Sequence, residues 1–310
     1  MQEIQTAVIG TGHLGRFHAL KFHQLKNCKL VAVCDTDPGK AQEVAAETSC
    51  RPVTDYHELL GQVEAVSIAV PTDLHFDVVR DFLRNRSHVL VEKPITATLE
   101  QADELISLAK ECNRVLQVGH LERFNPAIVE LERELKEALF IESHRLAPYR
   151  IRGTEVNVIL DLMIHDIDII LDIVNSDVNK IDARGIPVLS NDIDIANARI
   201  TFENGCVANV TASRVSMATD RKMRIFQHDA YLSVDFQNSE LAVYRKGQHE
   251  LYPGVPNIVV QKTSCAEYDA LLVEIESFLH CIRYGTQPKV SGQDGKRALE
   301  TAISISKQLA

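Results

Sequence analysis

Asp161, His165, Asp168 and Asp172 recur at i, i+4, i+7 and i+11 within Val158–Val174, VILDLMIHDIDIILDIV. At 100° per residue these four side chains fall within an arc of about 60° on one helix face. Almost everything else in the segment is Ile, Leu, Met or Val, and no Lys, Glu or Gln widens the polar face. A narrow acid–His stripe on an apolar helix suits side chains that face an enclosed reaction site; a helix with a thin exposed edge would give the same pattern. Asp161 lies one turn before His165 and is spaced to hydrogen-bond the imidazole, orient it and stabilise its cation. Histidine serves as a general base because its reference pKa lies near working pH. Asp and His together also admit a metal ion, but no Cys joins them.

Two further features carry chemistry. Glu92-Lys93-Pro94 ends an apolar run. Pro94 biases Lys93 toward extended backbone, which suits an ammonium held at a strand end to donate to a hydroxyl or carbonyl oxygen; a solvent-facing Lys ahead of a turn is the plain alternative. Gly10-Thr11-Gly12-His13-Leu14-Gly15 follows the first apolar run and opens a helical pattern. Its glycines serve a tight turn, a close backbone approach to a pyrophosphate, and close helix–strand packing, and the helix start offers unbonded N–H groups to phosphates. Asp35 comes ~20 residues on, where a carboxylate accepts the adenosine ribose hydroxyls and repels a 2′-phosphate, favouring NAD over NADP. A nicotinamide beside a His/Asp couple and a Lys implies hydride transfer: His165 takes the hydroxyl proton, and Lys93 stabilises the oxygen as it becomes a carbonyl. That reading requires Lys93 and the Asp161–His165 couple to meet on one alcohol.

The elements that position these residues read as two types. Strand candidates at Thr6–Ile9, Leu30–Cys34, Ala65–Val70, Val89–Glu92 and Val115–Val118 alternate with helical patterns near 13–26, 38–48, 74–86 and 98–113. Continuous β-rich runs are buried on both faces, so this is an α/β arrangement with a doubly wound parallel sheet. Ligands then sit beyond the carboxyl ends of the strands, where Gly10–Gly12, Asp35, Pro71-Thr72, Glu92-Lys93-Pro94 and Gly119-His120 fall. Thr98 and Gln101 form a capping-box signature. After Gly119 come a helix near 126–138, a strand-like stretch over 139–147, a helix over 155–174, and period-two alternation from 193 to 236. Asn204-Gly205 marks a hairpin with positive φ expected at both positions, and helices follow near 266–284 and 293–308. The expected division is 1–120 for a Rossmann dinucleotide-binding domain and 121–310 for an α+β domain with an open-faced antiparallel sheet.

Composition bounds the classes. The chain has 310 residues, 45% apolar and 25% charged, with a net charge of −10. The acidic balance argues against general binding to nucleic acid or an anionic membrane. No run of 18 apolar residues occurs, so no membrane span is expected, and the N-terminus does not read as a signal peptide. The seven Cys are scattered, with no C-x-x-C, and read as reduced thiols of a cytoplasmic protein.

Taken together, Gly10–Gly15, Pro71-Thr72-x-x-His75, Glu92-Lys93-Pro94, Arg123-Phe124-Asn125-Pro126 and Asp161-x-x-x-His165-x-x-Asp168 resemble the glucose-fructose oxidoreductase/inositol dehydrogenase/MocA (Gfo/Idh/MocA) family. The resemblance implies an NAD site that includes Gly10, Gly12, His13, Leu14, Gly15, Asp35, Pro71, Thr72, His75, Glu92 and Lys93. It implies a catalytic group of Lys93, Asp161 and His165, substrate contacts at His120, Arg123 and Asn125, no metal, and a homo-oligomer (dimer or tetramer). Val118–Pro126, Glu142–Pro148, Asp161–Asp168 and Ala196–Arg214 resemble family members acting on UDP-N-acetylglucosamine in diamino-sugar lipid A synthesis, which implies oxidation of the sugar 3-hydroxyl. A UDP-sugar needs cations for its pyrophosphate; Arg123, Arg145, Arg150, Arg152 and Arg214 are the candidates, each equally readable as a surface charge. Another sugar or polyol, or a non-catalytic NAD-binding sensor, are the competing readings.

Overall fold

Apolar runs become parallel strands in the computed structural model, which describes residues 3–149, 157–264 and 268–309. In chain order these are β1 (Ile4–Ile9), α1 (His13–Gln24), β2 (Cys28–Cys34), α2 (Pro38–Thr48), β3 (Arg51–Val53), β4 (Ala65–Ile68), α3 (Thr72–Arg84), β5 (His88–Glu92), α4 (Leu99–Glu111) and β6 (Leu116–Gly119). The strand order is β3-β2-β1-β4-β5-β6, and every neighbouring pair is parallel. The chain reverses direction across the sheet between β1 and β4, which opens a crevice at that edge. β3 was not anticipated: three residues containing Pro52 show no period, and Pro is tolerated there because the strand is an edge. Asp37 caps α2 through Gly39 and Lys40 N–H groups at 2.9 and 3.3 Å. The Thr98–Gln101 capping box forms at α4 as its spacing suggested.

The second sheet has eight strands. α5 (Pro126–Glu134), β7 (Phe140–Leu146), α6 (Ile164–Val174), β8 (Val178–Ile186), β9 (Ile195–Phe202), β10 (Val207–Ser213), β11 (Asp220–Phe226), β12 (Ala230–Asp235), β13 (Glu240–Tyr252) and β14 (Val255–Ser264) follow in sequence. The sheet order is β14-β13-β12-β11-β7-β10-β9-β8. Here the antiparallel expectation is corrected: β7 and β10 pair in parallel, with Phe140 opposite Val207 and Leu146 opposite Ser213. Period-two alternation reports which face is buried, whereas strand direction follows from the connections. One sheet face carries Ala198, Ile200, Val210, Met223, Ile225 and Leu232 against Ile164, Ile167 and Ile170 of α6. At the β9–β10 turn only Gly205 has positive φ, at +89°. Asn204 instead accepts the Cys206 N–H at 3.0 Å, as in a longer hairpin loop with Gly in the left-handed position.

Two compact units result: Met1–Leu121 with Asp269–Lys296, and Glu122–Tyr268 with Arg297–Ala310. The returning segment includes α7 (Ala270–Tyr284) and the first turn of α8 (Gly292–Lys307). Ile275, Phe278 and Leu279 of α7 complete the core around Val8, Phe22, Val33 and Leu90. The helix starts expected near 155 and 266 lie outside the described residues, as does Cys265. Burial pushes the Cys28 and Cys206 thiols up to about 11 and Cys34 to about 12, so all three stay protonated, as inert buried thiols do. No helix among the described residues is long and apolar enough to cross a membrane.

Candidate active site

The glycine loop sits where β1 gives way to α1. Gly10 has φ +86°, and a Cβ there would meet Ala69 O at 2.6 Å. A Cβ on Gly15 would overlap Gly10 O at 1.7 Å, whereas Gly12 has open space above it. The first and third glycines therefore serve packing, and the middle one leaves the backbone approachable. No side chain caps the start of α1, which leaves its first N–H groups available to an anion. Gly12, His13 and Leu14 are exposed. Asp35 is locked at the end of β2: its Oδ2 accepts the Thr11 N–H and hydroxyl at 2.8 and 3.0 Å, and Oδ1 accepts the Asp37 N–H at 2.9 Å.

Asp35 on β2 and Lys93 after β5 are three strands apart, or about 14 Å at ~4.8 Å per strand. Between them lie the glycine loop after β1 and Pro71-Thr72 after β4. A dinucleotide laid along that edge has its ribose carboxylate, its pyrophosphate loop and a cation in the right order. These residues fit NAD.

Glu92 organises the far end of the edge. Its Oε1 accepts from His18 Nε2 at 3.0 Å, and Oε2 accepts the Lys93 N–H at 3.3 Å. His18 Nδ1 faces the Ser67 hydroxyl at 2.8 Å. His18 and Ser67 are buried, so the ring links Ser67 to Glu92. Burial opposes charge on Glu92, but the His18 hydrogen bond, the His18 charge and the Lys93 charge outweigh it and hold the carboxyl below its ordinary range. A Cβ on Gly119 would sit 3.1 Å from the Glu92 carboxyl carbon, so glycine there lets β6 pass. The Lys93–Pro94 peptide is cis. Sequence reasoning missed this network, because His18 and Glu92 are 74 positions apart.

His75, expected at the cofactor, lies between two turns. It is buried, with Nδ1 2.8 Å from Pro94 O and Nε2 3.0 Å from Val70 O. Burial pushes its pKa down, so a neutral ring donates through one nitrogen. It braces the Lys93-Pro94 turn against the Pro71-Thr72 turn. His120 is also buried, at 1% exposure, directly after β6.

In the second unit Asp161 lies within a π-helical turn, Ile159–Met163, that runs into α6. The stripe is therefore not regular α-helix. Wide turns of this kind recur at functional sites, and nothing in the residue pattern announced it. Asp161 and His165 are half-buried. Further along, Asp168 and Asp172 turn to Arg123, whose Nη1 and Nη2 lie 3.6 and 2.6 Å from them. Part of the stripe is thus an ion-pair strip, and Arg123 has its charge balanced by two carboxylates.

Arg145 is buried between Asp166 at 2.6 Å and Glu122 at 2.8 Å. Burial opposes its charge, but the two carboxylates hold its pKa above the ordinary guanidinium range. Arg214 pairs with Asp194 at 2.8 Å. Asn125, expected to touch substrate, caps α5 through Ala127 N–H at 3.0 Å and donates to Phe236 O at 3.2 Å. Arg150 and Arg152 lie outside the described residues. No group of three or more His, Cys, Asp or Glu side chains is arranged to hold a metal among the described residues.

A parallel sheet with this strand order, loop and Glu-Lys-Pro strand end matches a known set of proteins. The profile described as "Oxidoreductase family, NAD-binding Rossmann fold" covers residues 4–120, and "GFO/IDH/MocA C-terminal domain" covers 142–233. The chain belongs to the Gfo/Idh/MocA oxidoreductase family. It is an NAD-dependent dehydrogenase of the sugar and polyol type. UDP-N-acetylglucosamine 3-dehydrogenase of Acidithiobacillus ferrooxidans is 40% identical over 98% of this chain and 97% of its own. A solved structure of that enzyme superposes with a TM-score of 0.94, covering 100% of this chain and 98% of the other. The scyllo-inositol 2-dehydrogenase (NAD(+)) of Bacillus subtilis is 25% identical over 98% of this chain and 93% of its own.

Proposed function

We propose that this dehydrogenase oxidises the 3-hydroxyl of UDP-N-acetylglucosamine to a ketone. The observation that carries this reading is the 40% identity, sustained over 98% of the chain, to an enzyme named for that reaction. Bound NAD supplies the hydride acceptor. His165 takes the hydroxyl proton, Asp161 orients the imidazole and stabilises its cation, and Lys93 donates to the oxygen as it becomes a carbonyl. Glu92 and His18 hold the backbone from which Lys93 projects. A UDP-sugar needs cations for its pyrophosphate, and Arg152→Ala should raise KM for the nucleotide sugar.

The test supplies NAD with UDP-N-acetylglucosamine, UDP-glucose or myo-inositol, with a hydrazine to trap the ketone. NADH should form with the first substrate. Absence of NADH there, or faster turnover of inositol, overturns the substrate assignment. Lys93→Ala and His165→Ala should each lower kcat by about 10²-fold or more, the scale of a lost acid–base group, while NAD affinity stays within about threefold. Unchanged kcat in either variant removes that residue from the mechanism.

We also propose that the chain works as a homo-oligomer. Leu251, Tyr252, Ile258, Val259 and Val260 on β13 and β14 are each 46% exposed or more. Exposed apolar side chains concentrated on this edge hairpin mark an association surface, and a second copy is the occupant proposed. Light scattering should give a multiple of 34.6 kDa, reduced by Ile258→Asp; a monomer for the parent chain sinks the proposal.

A further inference from the structure

A cavity of about 530 Å³ opens in the first unit at the starts of β5 and β6. It lies at the opposite ends of these strands from Lys93, about 16 Å away along β5 at ~3.3 Å per residue. His88 from the start of β5, Lys110 from α4, Arg114 and Asn113 from the turn before β6, and Gln287 beyond α7 line it. Of the described residues that line it, none is Asp or Glu, although the chain carries a net charge of −10. The remaining ionisable side chain there is the Cys281 thiol, which points to Gln287 O at 3.4 Å.

The hydrogen bonding at His88 lacks an acceptor. The Val115 N–H donates to His88 Nδ1 at 2.9 Å, so Nδ1 carries the lone pair and the ring proton must sit on Nε2. Nε2 faces Arg114 Nη1 at 3.2 Å. A guanidinium only donates, so two N–H groups meet with nothing to receive either. Arg114 Nε is buried as well and has no hydrogen-bond partner among the described residues. Burial first, and the Arg114 charge second, push His88 down to about 4. An oxyanion accepting from both the imidazole Nε2 and the guanidinium Nη1 would satisfy the two donors that meet there.

We propose that this cavity binds a small phosphorylated metabolite, its phosphate bridging His88 Nε2 and the Arg114 guanidinium beside Lys110. The volume lies within the range of small-molecule sites. Ile106, Leu116 and Ile282 in the walls offer apolar contact to the organic body. Phosphate is favoured over carboxylate because it brings more charge and a third acceptor oxygen to a wall of cations and amides.

The experiment titrates phenyl phosphate calorimetrically into the full chain saturated with NADH and UDP, which fill the dinucleotide edge and the proposed substrate site. One saturable site is expected. Arg114→Met should weaken it about tenfold, the scale of one charge-assisted hydrogen bond. Lys110→Met, at an exposed helix position, should weaken it measurably and guards against misfolding of the first variant. The His88 ring titration, followed by NMR, should move upward from about 4 when phenyl phosphate is bound. No saturable binding, equal affinity in both variants, an unmoved His88 titration, or benzoate binding as tightly as phenyl phosphate overturns the proposal.

Discussion

The carboxylate of Glu92 lies between the His18 ring and the Lys93 backbone, so a side chain buried in α1 reaches the residue proposed to polarise the substrate oxygen. His18→Phe removes the Nε2–H that Glu92 accepts and the nitrogen that Ser67 faces. Leaving the buried Ser67 hydroxyl and one Glu92 carboxyl oxygen without that ring costs about 1–3 kcal/mol each. Urea unfolding should show that loss, and kcat should fall more than KM for NAD, because Asp35 and the glycine loop are untouched. A parallel loss of NAD affinity would count against a positioning role. The folded-state pKa of Glu92 lies below its unfolded value, so its contribution is complete above about pH 4.3; it is lost as pH falls through the folded value. At this scale the sequence exposes what is local. The glycine loop, Asp35 and Glu92-Lys93-Pro94 are runs of adjacent residues whose spacing carries a mechanism. The positions of His75 and Asn125 are equally local, but their hydrogen bonds turn inward to Pro94 O, Val70 O and Phe236 O, and only tertiary contact reveals that.

Among the elements, α7 shows how a helix distant in sequence can settle the electrostatics of a sheet. Glu274 is fully buried on α7, with both carboxyl oxygens lacking partners among the described residues. Burial, with Glu92's charge adding to it, pushes its pKa well above the ordinary carboxyl range. A raised folded-state pKa favours the fold below the unfolded value of about 4.3, and that advantage disappears as pH rises through the folded value. Glu274→Gln should therefore be more stable than the parent by roughly 1–3 kcal/mol at pH 8. The gap should close toward pH 4, as read from urea midpoints across the range. A variant less stable at pH 8 would mean that the acid has a partner role. The elements that sequence periodicity revealed are those with one buried face, such as β9, β10 and β12. β8 and the outer halves of β13 and β14 are mostly exposed, so they carry no alternation to detect. The π turn at Ile159–Met163 escaped for another reason: an extra residue in one helical turn leaves composition unchanged.

For the molecule as a whole, the first 121 residues do not contain the entire nucleotide-binding unit, because Asp269–Lys296 packs with them. Phe278 and Leu279 are buried in that shared core, and burying a Phe or Leu side chain stabilises by about 1.5–3 kcal/mol. A fragment of residues 1–121 should bind a hydrophobic dye and show a broad, weakly cooperative melt. Joining residues 269–296 to it through a flexible linker should restore a sharp transition and NAD binding. A well-folded 1–121 fragment would contradict this dependence. The same return of the chain sets the order of events at the ribosome. The Gly10–Gly15 loop emerges early, yet the helix that seals the core beneath its sheet is translated only after the entire second sheet, so the nascent chain carries an unfinished nucleotide fold through most of its synthesis and offers chaperones a long interval in which to hold it.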